Sequence, residues 1–399
     1  MSLQDTPRSN RLHIGLFGKC NSGKSSLVNA LTGQSTAVVS EISGTTTDPV
    51  YKAMELFGLG PCVFIDTAGF DDVGGLGTLR VEKTRQAADR TDLAMVVFSG
   101  KDFAMELSWV RRFQTAGTPV LALLSKKDLL GAQDAARAEI AKATGLDALV
   151  VSANEPADRE RMRQSLLQLL PADYGVGSLT GGLAQTGDTV LLVMPQDIQA
   201  PSGRLILPQV QTIRDLLDKH CLVLCTTADR YLAAVEALRE PPALIVTDSQ
   251  VFSSVWTGKP AQSKVTSFSI LFARARGDIG YFVRSARQLA GLSAQAHILI
   301  AEACTHKPLR EDIGRVKLPR LLRQRFGPEL GIDIVNGPDF PQDLKKYDLV
   351  IHCGACMFNR KYVISRVAAA RRQKVPMTNY GIALAWLAGI LDKVAVPQN

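Results

Sequence analysis

Short apolar runs, each closed by a polar or glycine-rich turn and followed by a helical pattern, recur along the whole 399-residue chain. Leu12 to Phe17, Val63 to Ile65, Leu121 to Leu124 and Leu149 to Val151 are almost uninterrupted in apolar content. That is the signature of strands covered on both faces of a parallel sheet. The pattern lapses from Pro171 to Asp188, where Gly175, Gly177, Gly181, Gly182 and Gly187 stand without periodicity, so a linker is expected there. It restarts with strands over Thr189 to Met194, Cys221 to Thr226, Ala243 to Thr247 and Val265 to Ile270. Helical stretches near Leu207 to Lys219, Tyr231 to Leu238 and Ser249 to Trp256 separate them. A third set follows, with strands at His297 to Ala301, Asp333 to Val335 and Tyr347 to Ile351 and helices at Ile279 to Leu289, Leu318 to Arg325 and Asn359 to Arg372. Strands that alternate with helices imply right-handed crossovers. The expected class is α/β, with three domains at 1–172, 183–270 and 271–399, each built on a mainly parallel sheet.

Composition narrows this picture only slightly. A hydrophobic content of 46% with 21% charged residues suits a folded chain of several cores. There is no run of 18 apolar residues, so no membrane span is expected. Seven cysteines without a secretory leader pattern point to a reducing, cytoplasmic setting. The net charge of +8 would suit a nucleic-acid partner, but 46 basic residues are dispersed among 38 acidic ones and no aromatic-rich basic run occurs. No nucleic-acid partner is expected.

The chemistry of the first domain is explicit. Gly18-Lys19-Cys20-Asn21-Ser22-Gly23-Lys24-Ser25 follows a strand and opens a helix, which is the setting a P-loop requires. Its amides, with those of Ser26, curl round phosphate oxygens at a helix N-terminus; Lys24 reaches the β and γ oxygens, and Ser25 binds Mg2+. Asp66-Thr67-Ala68-Gly69 ends an apolar strand, so Asp66 orders the magnesium and the Gly69 amide meets the γ-phosphate. Ser125-Lys126-Lys127-Asp128 and Ser152-Ala153-Asn154 resemble the two base-reading motifs of GTPases. That resemblance implies GTP/GDP through Lys126, Asp128, Ser152 and Ala153, with Ser125 in place of the family's Asn loosening the grip on the base. Gly44 to Asp48 resembles switch I of the branch that holds the bacterial tRNA-modifying and ribosome-assembly GTPases, with Thr46 closing on magnesium. In that branch an Asn at the position of Asn21 accompanies K+ near the phosphates. Lys24, Thr46, Asp66 and Gly69 are the candidate catalytic set. Phe70 follows Gly69 where Ras-like enzymes carry a water-orienting Gln, and no arginine finger is evident, so turnover is expected to be slow.

The second domain has no glycine-rich loop after any strand. It reads as an interaction module whose uncovered edge strand pairs with its copy in a homodimer, or in a higher oligomer. Cys221 and Cys225 read as core residues.

Near the C-terminus, Ala303-Cys304-Thr305-His306 and His352-Cys353-Gly354-Ala355-Cys356 each follow an apolar strand. Open α/β sheets build their sites past the carboxyl ends of strands. Thiolates and imidazoles at such spacing hold zinc or an iron-sulfur cluster. Core packing would not gather three cysteines and two histidines at strand ends. Glu302 is a more distant candidate ligand, and the cations from Lys307 to Arg325 form a solvated face or help to hold an anionic set.

Taken together, these motifs resemble the FeFe-hydrogenase maturation GTPase family HydF. The likeness rests on the C-x-H and H-C-x-x-C pair, here with 45 residues (307 to 351) between the histidines, a slightly short spacer. It also rests on Ala200 to Gln209, Thr247-Asp248-Ser249-Gln250, Asp312 to Arg320 and Thr378-Asn379-Tyr380-Gly381. The resemblance implies a P-loop GTPase domain, a small α/β dimerisation domain and an α/β domain that binds a 4Fe-4S cluster through Cys304, Cys353 and Cys356. His306 and His352 then compete for the fourth iron. It implies a scaffold that receives a diiron subcluster precursor from radical-SAM maturases and carries it to apo FeFe hydrogenase. Two alternatives stand beside it: an RNA- or ribosome-assembly GTPase with a structural metal site, and a redox enzyme using the iron-sulfur centre.

Overall fold

The computed structural model describes residues 6–32, 49–67, 69, 77–126, 133–170, 174, 177–195, 205–303, 313–337 and 339–398. The chain divides into two compact units, Met1–Val176 and Gly177–Asn399.

The first unit runs β1 (Leu12–Gly18), α1 (Lys24–Thr32), β2 (Val50–Leu56), β3 (Gly60–Asp66), α2 (Gly77–Ala88), β4 (Leu93–Phe98), α3 (Ala104–Thr115), β5 (Val120–Leu124), α4 (Gln133–Thr144), β6 (Leu149–Val150) and α5 (Pro156–Gln168). Its six-stranded sheet has the order β2-β3-β1-β4-β5-β6, parallel except for the edge strand β2. β1 and β4 are buried along their whole lengths, which is why their sequences carry no alternation. Two apolar layers cover the faces: Leu27, Val28, Met162 and Leu166 on one, Trp109, Phe113 and Ile140 on the other. Leu16 pairs with Asp66 and Gly18 with Val97, so the carboxyl ends of the three central strands open at one edge.

The second unit holds two all-parallel four-stranded sheets. The first comprises β7 (Thr189–Val193), β8 (Leu222–Thr226), β9 (Leu244–Thr247) and β10 (Lys264–Ser267), in the order β10-β9-β7-β8. The helices α6 (Leu207–Asp218), α7 (Tyr231–Glu236) and α8 (Phe252–Thr257) connect them. After α9 (Phe268–Arg276) and α10 (Ile279–Arg287) comes the second sheet, of β11 (His297–Ala301), β12 (Gly331–Val335), β13 (Leu349–His352) and β14 (Met377–Asn379). Its order is β12-β11-β13-β14, with α11 (Leu318–Phe326), α12 (Arg360–Arg372) and α13 (Tyr380–Leu387) completing it.

Three parallel-sheet regions are therefore present, as the strand pattern predicts. The second and third are not independently packed, because Leu191, Ile245 and Val265 share one buried cluster with Ile298, Ile300 and Val350. The strand expected over 265–270 stops at Ser267: its hydroxyl accepts from the Ile270 amide and starts α9, so the apolar run continues as helix. Among the described residues, no helix is long and apolar enough to cross a membrane.

The edges of the first of these sheets differ. On β10, the Val265 carbonyl accepts from the Ala395 amide, so the C-terminal segment covers that edge in part. β8 lies at the other edge, with Leu222 67% exposed, Leu217 of α6 53% and Leu232 of α7 59%. Cys221 is buried as expected, but Cys225 is exposed. That corrects its reading as a core residue: it lies on an edge strand, where neither face is fully covered.

Candidate functional site

The first unit presents a nucleotide site at the carboxyl edge of its sheet. The chain leaves β1 at Gly18 and turns through Asn21 and Gly23, both left-handed at φ +57° and +94°, to enter α1 at Lys24. Gly23 takes that turn without strain, and the first amides of α1 point out of the helix N-terminus, the arrangement that receives an anion. The Lys24 ammonium is buried and donates to the carbonyls of Gly18 (3.0 Å) and Lys19 (2.7 Å), so it lies across the loop it serves. The Ser25 hydroxyl donates to the Asp66 carboxylate at 2.6 Å. The two groups expected on magnesium thus meet from different elements. A β-carbon on Gly69 would come within 2.3 to 2.7 Å of Cys20, so only glycine lets this segment lie against the loop.

The base-reading side is also tied to the loop. Ser125, 2% exposed, donates to the carbonyl of Ser22 at 2.7 Å. The hydroxyl that replaces the family's amide therefore keeps a link to the P-loop, a role that the expectation of a loosened grip leaves out. Lys126 is exposed and left-handed (φ +60°). The Ser152 amide donates to Asp158 Oδ2 at 2.9 Å, and the Asn154 amide to the Ser152 hydroxyl at 3.3 Å, which fixes the turn holding Ala153. Thr46 and Asp128 lie outside the described residues.

Sequence reasoning misses two supports here. Asp158 is one, and its position in the first turn of α5 is the signal that could have found it. The other is Glu106, wholly buried on α3 and 3.6 Å from Lys19, where burial pushes its carboxyl above the usual range against the pull of that cation. It anchors the second residue of the P-loop from behind.

Replacing Ser125 by Ala removes one buried hydrogen bond, about 1 kcal/mol. The expected result is a KM for GTP raised about fivefold, with kcat little changed and Ser125→Asn recovering most of the loss. An unaltered KM in steady-state kinetics would remove Ser125 from the base-binding machinery.

The second unit holds the cysteine site. Along β11 and β13, Ala301 pairs with His352, so both strands end at the same level. The chain leaves β11 for β12 on one side while β13 lies on the other, which makes their shared carboxyl end the switch point of the sheet. There the Ala303 amide donates to Cys353 Sγ at 3.0 Å. The left-handed Ala355 (φ +47°) turns the chain between Cys353 and Cys356, and α12 starts four residues beyond Cys356. Burial pushes the Cys353 thiol up to about 11, opposed by the Ala303 and Ala355 amides. Glu302 is mostly buried and accepts from Arg315 Nε at 3.0 Å. Cys304 and His306 lie outside the described residues, and among the described ones no three ligand-type side chains converge.

His352 ends β13 and is held on both sides of its ring. It is fully buried, its Nδ1 lies 2.7 Å from the Cys353 carbonyl and its Nε2 2.9 Å from Arg366 Nη1. Burial, with Arg366 beside it, lowers its pKa to about 3, so the ring is neutral. Nδ1 then carries the proton and Nε2 accepts from the guanidinium. With both nitrogens engaged in this way, His352 supports the strand end.

Comparison with known proteins separates the two units. The family model for a 50S ribosome-binding GTPase matches residues 13–126. The Hydrogen maturase F dimerization domain matches 179–277 and the Hydrogen maturase F tetramerization domain 280–397, together more than half of the chain. The chain belongs to the HydF-type hydrogenase maturase GTPases. It is also similar to the tRNA modification GTPase MnmE of Bordetella parapertussis, 36% identical over 170 residues, which cover 42% of this chain and 36% of that protein. GTPase Der of Wolinella succinogenes is 42% identical over 89 residues, covering 22% and 19%. The chain thus spans about a third or less of these curated relatives. Among solved structures, a variant of Aquifex aeolicus Era bound to GDP.AlF4- aligns with 63% of this chain and 98% of its own at 16% identity and a TM-score of 0.35.

Proposed function

We propose that this HydF-type chain is a GTP-hydrolysing scaffold of FeFe-hydrogenase maturation. In this reading it binds a 4Fe-4S cluster through Cys304, Cys353 and Cys356 and carries the diiron subcluster precursor, with its CO and cyanide ligands, from radical-SAM maturases to apo FeFe hydrogenase. The observation that carries the reading is the switch-point thiol site: Cys353 receives an amide donor from Ala303, the residue before Cys304. Amide donors to sulfur stabilise the thiolates of iron-sulfur centres. When bound, the cluster would supply an iron with an exchangeable ligand position for the cargo. His306 remains the candidate for that position, since Glu302 is held by Arg315 and His352 by Arg366. Purified chain, loaded with iron, sulfide and the precursor, should activate apo FeFe hydrogenase, and loaded chain that yields no hydrogen evolution would sink the proposal.

In the nucleotide site, Lys24 neutralises charge developing on the β and γ oxygens, and Ser25 with Asp66 holds Mg2+, joined by Thr46. Asp128 selects guanine, so ATP should be a poor substrate. Asn21 sits in the loop where a monovalent cation would supply what an arginine finger supplies elsewhere. Hydrolysis should therefore run several-fold faster in KCl than in NaCl at equal ionic strength, and equal rates would remove the potassium site. The nucleotide state gates contact with the partner enzymes.

The chain is also expected to form homodimers through β8, an edge strand among the described residues with Leu222 exposed on it. Leu222→Asp places a carboxylate in that contact and should weaken dimerisation at least a hundredfold, about 2.8 kcal/mol. Sedimentation of the full chain at micromolar concentration checks this, and an undiminished dimer moves the interface elsewhere. The likeness of 42% of the chain to a tRNA modification GTPase favours an RNA partner as the second reading, which a gel-shift with bulk tRNA tests directly.

A further inference from the structure

Among the described residues, Glu106 is the most completely buried carboxylate, and neither of its oxygens has a hydrogen-bond partner. Asp158 and Glu302, nearly as enclosed, each accept from an arginine. The charge that answers Glu106 is the Lys19 ammonium, 3.6 Å from Oε2. That ammonium also donates to the Asp102 carbonyl and lies 3.6 Å from Asp102 Oδ2. The Asp102 side chain is 77% exposed, so water screens its charge, whereas nothing screens that of Glu106. An ionised carboxylate in such a place is costly unless a cation stays beside it.

What lies on the other side of Lys19 decides its use. Lys19 is the second residue of the P-loop, and its carbonyl accepts from the Lys24 ammonium at 2.7 Å. The loop that receives the phosphates thus has a carboxylate behind it, of the same sign as the anion the loop is built to hold. A charge in a poorly solvated interior acts over several ångström with little screening. Lys19 joins the two, with its backbone in the loop and its ammonium on the carboxylate. The motif G-x-x-x-x-G-K-S leaves this position unspecified, so phosphate binding alone does not account for a lysine there.

We infer that Lys19 is a positioning residue for nucleotide binding, which neutralises the buried Glu106 so that the loop can hold the phosphate charges. The two are required as a pair. The inference rests on the P-loop reading of Gly18 to Ser25. Of the two lysines in the loop, Lys24 serves the phosphates directly and Lys19 serves them through Glu106.

The test is equilibrium titration of the full chain with fluorescently labelled GDP and a labelled non-hydrolysable GTP analogue, in the presence of Mg2+. Wild type, Lys19→Met, Glu106→Gln and the double variant are compared, with melting of the nucleotide-free proteins measured alongside. Lys19→Met leaves the carboxylate unanswered and is expected to weaken GDP binding about tenfold, and binding of the more highly charged GTP analogue further. Removing both charges should return both affinities to within about threefold of wild type, because a broken buried pair is costly and a neutral replacement of the whole pair is not. Glu106→Gln should bind both nucleotides at least as tightly as wild type, and clear weakening overturns the inference. So does an unchanged GDP affinity in Lys19→Met, or a double variant as weak as Lys19→Met. Equal losses for GDP and the GTP analogue mean that the shape of the loop rather than charge is at fault, and overturn it too. Should Lys19→Met fail to fold, a double variant that folds and binds GDP as wild type does supports the inference, and one that also fails overturns it. Wild-type chain that binds neither nucleotide overturns the P-loop reading and this inference with it.

Discussion

Lys24→Ala is expected to reduce GTP hydrolysis by roughly 10²–10³-fold or more, the loss seen when one preorganised donor to a developing charge is removed. The side chain is buried in the loop and already positioned, with its ammonium on the carbonyls of Gly18 and Lys19. Little reorganisation is then needed for it to turn to the phosphates. The same two bonds predict a secondary effect. Without the ammonium, those carbonyls lose a charged donor, so the nucleotide-free variant should also melt slightly lower than wild type. Single-turnover hydrolysis separates the two effects, because a purely structural loss would be repaired by saturating GTP and a lost phosphate contact would not. Lys24→Ala protein that hydrolyses GTP at the wild-type rate would put the catalytic cation elsewhere in the chain.

The strands that carry these sites were readable because they are central. β1 and β13 are buried on both faces, and their sequences show it as unbroken apolar runs ending where the chemistry begins. The edge strand β2 was not readable: most of its residues are half-covered, and Val50-Tyr51-Lys52-Ala53-Met54 has neither a clean alternation nor a solid run. Cys225 misled for a related reason, since a local pattern reports that a residue is apolar and not that its strand lies at an edge. At the sites, contiguous motifs were legible and their supports were not. Asp158 acts on Ser152 from six residues away, and Glu106 reaches Lys19 across 87 positions. Arg366 meets His352 from the second turn of α12, where it reads as one more basic residue of a helix. Tertiary structure alone distinguishes it from Arg360 or Arg372, which are exposed.

Replacing both Cys353 and Cys356 by Ser is expected to abolish iron-sulfur binding, the largest effect foreseen for the second unit. Serine keeps the volume nearly unchanged and retains a hydroxyl that the Ala303 amide can still reach, so the strand ends should hold their places. What is lost is the soft, charged sulfur that iron requires. Each single change should cost most of the iron, because two of three proposed thiolates do not enclose a cube. GTP hydrolysis should persist in all three variants, since the P-loop and its supports lie in the other compact unit. His352→Ala should differ in kind: it removes the acceptor for Arg366 Nη1 and leaves a buried cation with one partner fewer, so a drop in melting temperature should accompany any change in the resonance spectrum. Anaerobic reconstitution followed by iron and sulfide determination decides between these outcomes. Full cluster loading of the Cys353→Ser/Cys356→Ser chain would remove the switch point of the sheet as the cluster site.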